Sequence, residues 1–405
     1  MKVLLAALLL AVPVAAQPEA EFVAWARARA VPIDADGAAF RSLDAAIARA
    51  RLIGVGESVH DSEPFLSFRT QLLQDLVRRH RVTAVVLESG LPEAMALDDY
   101  VRGRTATVDF DAALPGGNGS LEELRRAMEW LRAWNLGDGR ARPVGVYGAD
   151  IPARSGSMVP ALDRLLALTS NDRIVKSLVD SIRPVAVQAS GRYWRDAAQK
   201  YEPLPAEAKA GLARDVSLLV ERVQMLTRGD AEQLEWARRV AAVVQQNEAV
   251  LRFGMFDPTV PRDHALADNA LWVVRRLGPG ERAVYWAHNA HVQKVPVQGA
   301  PLPPGSFLGS GMRFDAVLGD EYLAIATAYG GPARDDASAA AEGSVDAALE
   351  KVGKGPFLLQ LGPGAWLSQE RQMRFQTGYL NVVPGKAFDA VAYFPGATRA
   401  ARVAP

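Results

Sequence analysis

The chain has 405 residues and no cysteine, and its 46 lysine and arginine residues balance its 46 aspartate and glutamate residues. The lack of cysteine excludes disulfide bonds, thiolate metal sites and a cysteine nucleophile. Zero net charge gives no positive field of the kind that nucleic-acid or anionic-membrane binding usually needs, so we expect a small-molecule partner and no nucleic acid.

The first residues have the pattern of an export signal. Lys2 is followed by the apolar run 3–12, and residues 14–16 form a small-residue cleavage site. This run is too short to cross a bilayer and no later stretch is long enough, so the sequence predicts no membrane span. We expect residues 1–16 to be removed and the mature protein, beginning near Gln17, to be periplasmic or secreted.

Short apolar runs alternate with helical patterns along most of the chain. Residues 20–51 read as two helices with a break at 32–37, and the strand pattern begins after them. This alternation predicts an α/β fold of three layers, in which helices cover both faces of a largely parallel sheet. The predicted strands are 52–55, 83–87, 144–147 and 283–287, with further candidates at 322–327, 357–361 and 391–394.

Residues 152–261 differ from this pattern because they contain long amphipathic helices and no strand signal. A long segment between two strands must leave from one end of the sheet. We therefore predict an α/β catalytic core, 17–151 and 262–405, and an inserted helical cap over the sheet edge. Three aromatic residues of the insertion are candidates for either a pocket wall or a bundle core: Tyr193, Trp194 and Trp236.

The first candidate site is the turn that follows residues 52–55. It contains Glu57 and His60, and the helix that begins after it carries Arg69. Loops at the carboxyl ends of parallel strands converge, and a helix amino terminus there favours a developing negative charge. For Glu57, Asp61 and Arg69 taken singly, the alternative is helix capping and surface ion pairing.

Two carboxylates and one arginine extend this candidate site. Glu88 directly follows a strand that should be buried on both faces, so it needs a partner or a raised pKa. Its role is either functional or that of a structural salt bridge. Asp150 has a similar position and is a candidate for substrate binding or a turn residue. Arg262 begins a later helix and is expected to reach the edge of the site.

His288 and His291 lie three positions apart at another strand end. With His60 and a carboxylate they have the ligand types of a zinc or iron site. They equally suit metal-free acid/base work, in which Glu57 or Glu88 orients an imidazole. No serine elbow or phosphate-binding loop is found. A water nucleophile activated by histidine is therefore the simpler mechanism.

Taken together, these residues resemble the erythromycin esterase family. No one motif is specific, but the ordered set spans nearly the whole mature chain. The resemblance is carried by residues 56–60, Arg69, 85–88, 147–150, 262–263, Asn269, Trp272, 286–291, 311–313, 318–319 and 388–391.

The resemblance implies a hydrolase that opens a macrolide lactone, or cleaves another carboxylic ester, with an activated water and with no metal or cofactor. On that template His60 is the general base, and Glu57 and Glu88 orient and tune it. The remaining members position the ester or stabilise the oxyanion: Arg69, Arg262, His288 and His291.

Some neighbours of the site depart from the family's pattern. Val59 and Asp61 flank His60, where the family usually has a small or threonine residue and a glycine. Gly90 and Leu91 stand where acidic and tryptophan residues are usual. Two other functions stay open: a metal-dependent hydrolase that uses the same cluster, and an exported haem-binding or small-molecule-binding protein, since a haem-binding family has a related sheet.

Overall fold

The computed structural model describes residues 16–34, 36–114, 117–151, 157–170, 172–191, 194–254, 262–299, 308–332 and 338–404. The predicted export signal lies outside the described residues, apart from Ala16 at the start of the first helix. Tyr193 also lies outside them, as do both ends of the predicted insertion.

A mixed sheet forms the centre of the described structure. The strands of the described structure are β1 (Val31–Pro32), β2 (Leu52–Glu57), β3 (Val82–Gly90), β4 (Gly145–Asp150), β5 (Arg282–His288), β6 (Tyr322–Tyr329), β7 (Phe357–Gln360), β8 (Arg371–Phe375), β9 (Gly378–Val382) and β10 (Ala390–Phe394). β8 and β9 form a separate hairpin, and the other strands form the mixed sheet. The strand order of the sheet is β1-β7-β10-β6-β2-β5-β3-β4. All neighbours from β10 to β4 are parallel, and only β7 and β1 are antiparallel to their neighbours.

The helices lie on both faces of this sheet. Within the described ranges, each is too short or too polar to span a bilayer. They are α1 (Ala16–Arg27), α2 (Ala38–Ser42), α3 (Asp44–Arg49), α4 (Glu63–Arg79), α5 (Leu91–Val101), α6 (Phe110–Ala113), α7 (Glu122–Leu136), α8 (Val159–Leu168), α9 (Arg173–Gln188), α10 (Trp194–Tyr201), α11 (Ala206–Gln224), α12 (Ala231–Phe253), α13 (Arg262–Arg275), α14 (Asn289–Val292), α15 (Ser310–Leu318), α16 (Val345–Glu350) and α17 (Pro384–Ala387).

The two faces of the sheet build separate hydrophobic cores. Ile53 and Val55 of β2 pack with side chains of α2 to α5 and α7, whereas Leu52 packs with side chains of α1, α13, α15 and α16. This division follows from the alternation of side chains along a strand. The predicted α/β fold, with helices on both faces of a largely parallel sheet, is confirmed.

Between β4 and α13, the described residues form helices and no strand. Helices α8, α9, α11 and α12 bury their apolar faces against one another and against Leu91 and Met95 of α5. Trp194 packs with a small cluster beside α13, and the ring of Trp236 lies 4.7 Å from that of Trp272. Both aromatic residues therefore have helix-packing partners. The division into a core and a cap stays a prediction.

Three features differ from the sequence prediction. The predicted second helix is divided into α2 and α3 at Leu43, and β1 adds a short edge strand before them. The hairpin β8–β9 was not predicted at all, because its strands lack a regular alternation of polar and apolar residues and its turn, at Gln376, lacks the usual Asn-Gly or Asp-Gly signal.

Candidate active site

The start of α4 brings its first turns beneath the end of β2. Pro64 lies in the first turn, where a residue without an N–H group is well tolerated. The apolar face of α4, including Phe65 and Phe68, packs against the sheet. The polar residues of the β2–α4 turn are thereby held over the carboxyl ends of the strands.

Glu57 is the centre of the first group of predicted residues. Its Oε1 lies 2.6 Å from Nδ1 of His60, and its Oε2 accepts a hydrogen bond from Nη1 of Arg69 at 3.0 Å. Nη2 of Arg69 also donates to the backbone oxygens of Val55, at 2.8 Å, and of Ala287. The guanidinium therefore joins the ends of β2 and β5 to the carboxylate.

These contacts determine which ring nitrogen of His60 carries the proton. Burial raises the pKa of the Glu57 carboxyl, but Arg69 and His60 lower it more, so the pKa lies below its ordinary value. An ionised Glu57 accepts the proton on Nδ1 of His60 and leaves the lone pair on Nε2. That nitrogen makes no hydrogen bond within the described structure, and the His60 side chain is 31% exposed. This arrangement can take a proton from water.

Asp61, the next residue, has a φ of 56°. A side chain in this left-handed conformation is strained. This is consistent with the glycine that is usual at this position in the family that the sequence resembles. Aspartate tolerates the conformation better than most residues. Its Oδ2 accepts a hydrogen bond from Arg402 at 2.6 Å, which ties the turn to the carboxyl-terminal segment.

Glu88 lies in a β-bulge, because β3 has one residue more than β4 between Leu87 and Gly90. Bulges commonly redirect side chains next to active sites. Oε1 of Glu88 accepts a hydrogen bond from Nη2 of Arg262 at 2.9 Å, and Oε2 accepts one from the backbone N–H of His288 at 3.0 Å. Glu88 therefore has partners, as its buried position requires.

Arg262 joins the carboxylates of Glu88 and Asp150. Its Nε lies 2.9 Å from Oδ1 of Asp150, and its Nη2 also donates to Oδ2. Burial works against the charge of Arg262, but the two carboxylates raise its pKa well above the usual value. Asp150 is only 2% exposed, and both of its oxygens face Arg262. Its geometry is that of a partner that holds Arg262, and substrate binding by Asp150 stays a prediction.

His291 is held between two carboxylates. Its Nδ1 lies 2.6 Å from Oδ1 of Asp263, and its Nε2 lies 3.5 Å from Oε1 of Glu88. Burial lowers the pKa of His291, but Asp263 and Glu88 raise it more, so the pKa is above its ordinary value. Oδ1 of Asp263 also accepts hydrogen bonds from the backbone and hydroxyl of Ser310, each at 2.8 Å. His291 is thus the favoured imidazolium of the site.

The contacts of His288 favour a neutral ring, in contrast to those of His291. It lies opposite Glu57 in the pairing of β5 with β2. Its Nε2 lies 3.0 Å from the carbonyl oxygen of Ser58, and its Nδ1 accepts the backbone N–H of Ala290 at 3.2 Å. These partners require a neutral ring with its proton on Nε2. Burial, with a smaller contribution from His60 when its ring is protonated, lowers the pKa of His288 to about 3. The ring has no lone pair left for a proton or a metal.

The predicted metal-ligand set of His60, His288 and His291 is therefore not assembled. Nδ1 of His60 faces Glu57, both ring nitrogens of His288 contact backbone groups, and Nδ1 of His291 faces Asp263. Among the described residues, no group of three or more histidine, aspartate or glutamate side chains is arranged to hold a metal ion.

All eight predicted site residues nevertheless lie together at the carboxyl ends of β2 to β5 and at the starts of the helices beside them. Asp263 is not among the residues that the sequence predicts for the site, although 262–263 carries part of the family resemblance. Sequence reasoning also missed Gln376 in the β8–β9 turn, whose Oε1 accepts the backbone N–H of His60 at 3.3 Å. No local pattern marks Gln376, because a residue more than 300 positions away in sequence is its partner.

A hollow of about 60 Å³ opens beside these groups. Glu57, His60, Arg69 and Glu88 supply its polar wall, and the rest of the wall is mostly apolar. One water molecule occupies about 30 Å³ of liquid. The hollow therefore has room for a water and a small functional group.

Comparison with known proteins identifies the family of this chain. The family model for erythromycin esterase matches residues 77–397. The chain belongs to the erythromycin esterase family. Its relatives include the type II erythromycin esterase of Escherichia coli, with 23% identity and 72% of each chain covered. The type I enzyme of Escherichia coli has 22% identity, over 69% of this chain and 71% of the relative. Membership of this erythromycin esterase family supports an ester hydrolase that acts on a small molecule.

Solved structures share the fold at low sequence identity. A succinoglycan biosynthesis protein has a TM-score of 0.79 at 17% identity, with 95% of this chain and 98% of that chain covered. A protein of Bacillus cereus has a TM-score of 0.77 at 20% identity, with 94% and 98% covered. A mutant of the erythromycin esterase EreC in its open conformation has a TM-score of 0.74 at 19% identity, with 91% and 96% covered.

Proposed function

We propose that this member of the erythromycin esterase family hydrolyses a carboxylic ester, a macrolide lactone among the candidates, with water activated by His60 and without a metal ion. The observation that carries the proposal is the pairing of Nδ1 of His60 with Glu57 at 2.6 Å, in a ring that lines the small hollow and whose Nε2 makes no hydrogen bond to any described residue. The names of the two Escherichia coli relatives make a macrolide the first substrate to test.

In the proposed reaction, Nε2 of His60 takes a proton from water as the water oxygen attacks the ester carbonyl carbon. The carbonyl π electrons move to the oxygen and form a tetrahedral oxyanion. Its collapse re-forms the carbonyl and breaks the bond to the alkoxy oxygen, which receives the proton from His60. The products are an acid and an alcohol, or one hydroxy acid when the substrate is a lactone.

We assign stabilisation of the oxyanion to two groups that contact Glu88, a residue of the wall of the small hollow. His291 and Arg262 both contact Glu88, and their charges can stabilise a developing negative charge in a buried site. Arg69 differs because its hydrogen bonds go to Glu57 and to two backbone oxygens. We assign Arg69 the role of positioning Glu57, and Asp150 that of positioning Arg262.

The test is mass spectrometry of erythromycin and of simpler lactones and esters after incubation with chelator-treated protein. We expect a gain of one water, lost in His60→Ala. His80→Ala is the matched control, because His80 pairs with Asp44 at the far end of α4. Circular dichroism reports whether each variant is folded. Equal turnover by wild type and His60→Ala would remove His60 as the base, and a requirement for added metal would refute the metal-free mechanism.

The place of action is proposed from the sequence. Cleavage after residue 16 would put the enzyme in the periplasm or outside the cell. Amino-terminal sequencing of protein recovered from the periplasm and medium of an expressing bacterium tests this. A start near Gln17 is expected, and an intact Met1 in protein confined to the cytoplasm would contradict it.

A further inference from the structure

The tip of the β8–β9 hairpin lies against the proposed catalytic residues. The backbone N–H of Gln376 donates to the carbonyl oxygen of Ser58 at 2.7 Å, and its side chain accepts the N–H of His60. The ring of Phe375 lies edge-on to that of His288, with centroids 4.4 Å apart. This tip thus touches the β2–α4 turn and the end of β5, although β8 and β9 pair with no strand of the main sheet.

The tip is held in a strained conformation. Gln376 has a φ of 54°, which is uncommon for a residue other than glycine. Such strain persists where surrounding contacts fix it, and it concentrates at functional sites. Here the carbonyl oxygen of Gln376 accepts a hydrogen bond from the hydroxyl of Tyr329 at 3.1 Å, in addition to the two contacts with the β2–α4 turn.

The same tip forms one wall of a second, larger hollow of about 750 Å³. Phe375, Gln376, Tyr379 and Asn381 are among the residues that line it, and none of the described side chains in its lining is charged. This volume is in the range of pockets that bind small organic molecules, about 300–1,000 Å³. Aromatic rings with amide and hydroxyl groups suit an apolar ligand that carries scattered hydroxyl or carbonyl oxygens.

The two hollows differ in size, which suggests that they hold different parts of one substrate. The hollow beside His60 holds about 60 Å³, so the larger hollow of about 750 Å³ has more room for a bulky acid or alcohol. The larger hollow shares Gln376 with the immediate surroundings of His60. We propose that this larger hollow binds the bulky, uncharged body of a lactone or ester while its carbonyl group lies beside His60. This inference rests on the proposed ester hydrolysis.

The test fills the hollow from its rim. Thr377→Trp and Gln372→Trp each place a large ring at an exposed lining position. Thr227→Trp is the matched control, because Thr227 is also exposed and lines a hollow in the helical segment. The probe is erythronolide B, an uncharged macrolide aglycone, and its Kd is measured by ligand-observed NMR in the His60→Ala background so that turnover does not consume it.

We expect both rim variants to weaken binding by about tenfold or more, which corresponds to about 1.4 kcal/mol, relative to Thr227→Trp. In the background with His60 intact, they should lower kcat/KM for bulky esters relative to γ-butyrolactone by a similar factor. Unchanged binding in folded rim variants, or no binding of erythronolide B by the parent protein, would overturn the inference. Binding that is sensitive to Thr377→Trp without hydrolysis of any ester would support the hollow and overturn only the proposed reaction.

Discussion

Replacing Glu57 with glutamine separates the charge of this residue from its shape. The variant keeps an oxygen near Nδ1 of His60 but removes the negative charge that selects the tautomer and balances Arg69. In serine proteases, the same change behind a catalytic histidine lowers kcat about 10⁴-fold. We expect a loss of about 10³ to 10⁴ in kcat for ester hydrolysis, with a much smaller change in KM.

The same substitution also affects folding. Arg69 is 4% exposed, and removal of one partner of a buried ion pair typically costs about 3–5 kcal/mol. Because Arg69 keeps its hydrogen bonds to two backbone oxygens, we expect the lower end, about 3 kcal/mol. The pKa of Glu57 is lowered from 4.5 in the folded state. The difference in unfolding free energy between wild type and Glu57→Gln should therefore be fully present above pH 4.5 and should disappear as pH falls through the folded pKa.

The assays are initial rates on a small ester from pH 5 to about pH 9, and urea unfolding followed by circular dichroism at several pH values. Glu248→Gln is the control, because Glu248 is a buried carboxylate paired with Arg252 within the helical segment. It should keep kcat close to that of wild type. A kcat within tenfold of wild type for folded Glu57→Gln would refute the role of Glu57 in setting the tautomer of His60.

Three further substitutions test other groups. Asp263→Asn removes a carboxylate that raises the pKa of His291, so the alkaline limb of the pH profile of kcat/KM should move to lower pH; an unmoved limb would show that His291 need not be charged. Asp61→Ala should cost about 1 kcal/mol of unfolding free energy relative to Asp61→Gly, because φ is positive there, and equal stability in urea titrations would contradict this. Burial, with a smaller contribution from Asp150, raises the pKa of Glu93 from 4.5 to about 7, so the folded state holds that proton more tightly and loses stability as pH rises from 4.5 through 7. Glu93→Gln should therefore be more stable than wild type at about pH 8, by up to about 3 kcal/mol, with no gain below pH 4.5; a gain that does not vary with pH would count against a buried, protonated Glu93.

The sheet was largely predictable because its central strands are buried on both faces. Such strands must be short apolar runs, and the runs at 52–55 and 283–287 lie within β2 and β5. The order of strands was not predictable from these runs, since pairing depends on crossovers that leave no local pattern. β8 and β9 were missed because half-exposed strands keep many polar residues.

The residues of the site were predicted more fully than their hydrogen-bond partners and protonation states. Polar residues directly after apolar strands identified Glu57, Glu88 and His288, because the carboxyl ends of parallel strands meet at one edge. The protonation states followed only from partners far away in sequence. His288 is neutral because backbone groups of Ser58 and Ala290 occupy its two nitrogens, and no spacing rule indicates this.

The separate two-stranded sheet of β8 and β9 has a consequence for how this scaffold can change its substrate. The hairpin pairs with no strand of the main sheet, although its buried residues Met373 and Val382 pack in the core on one face of that sheet. New side chains at the exposed positions between 371 and 382 can therefore alter the outer wall while β2 to β5 keep the acid/base groups in place. Retaining Gln376 would preserve the tether to Ser58 and His60. Libraries that vary Gln372, Thr377 and their neighbours are the natural starting point for redirecting the enzyme to other esters.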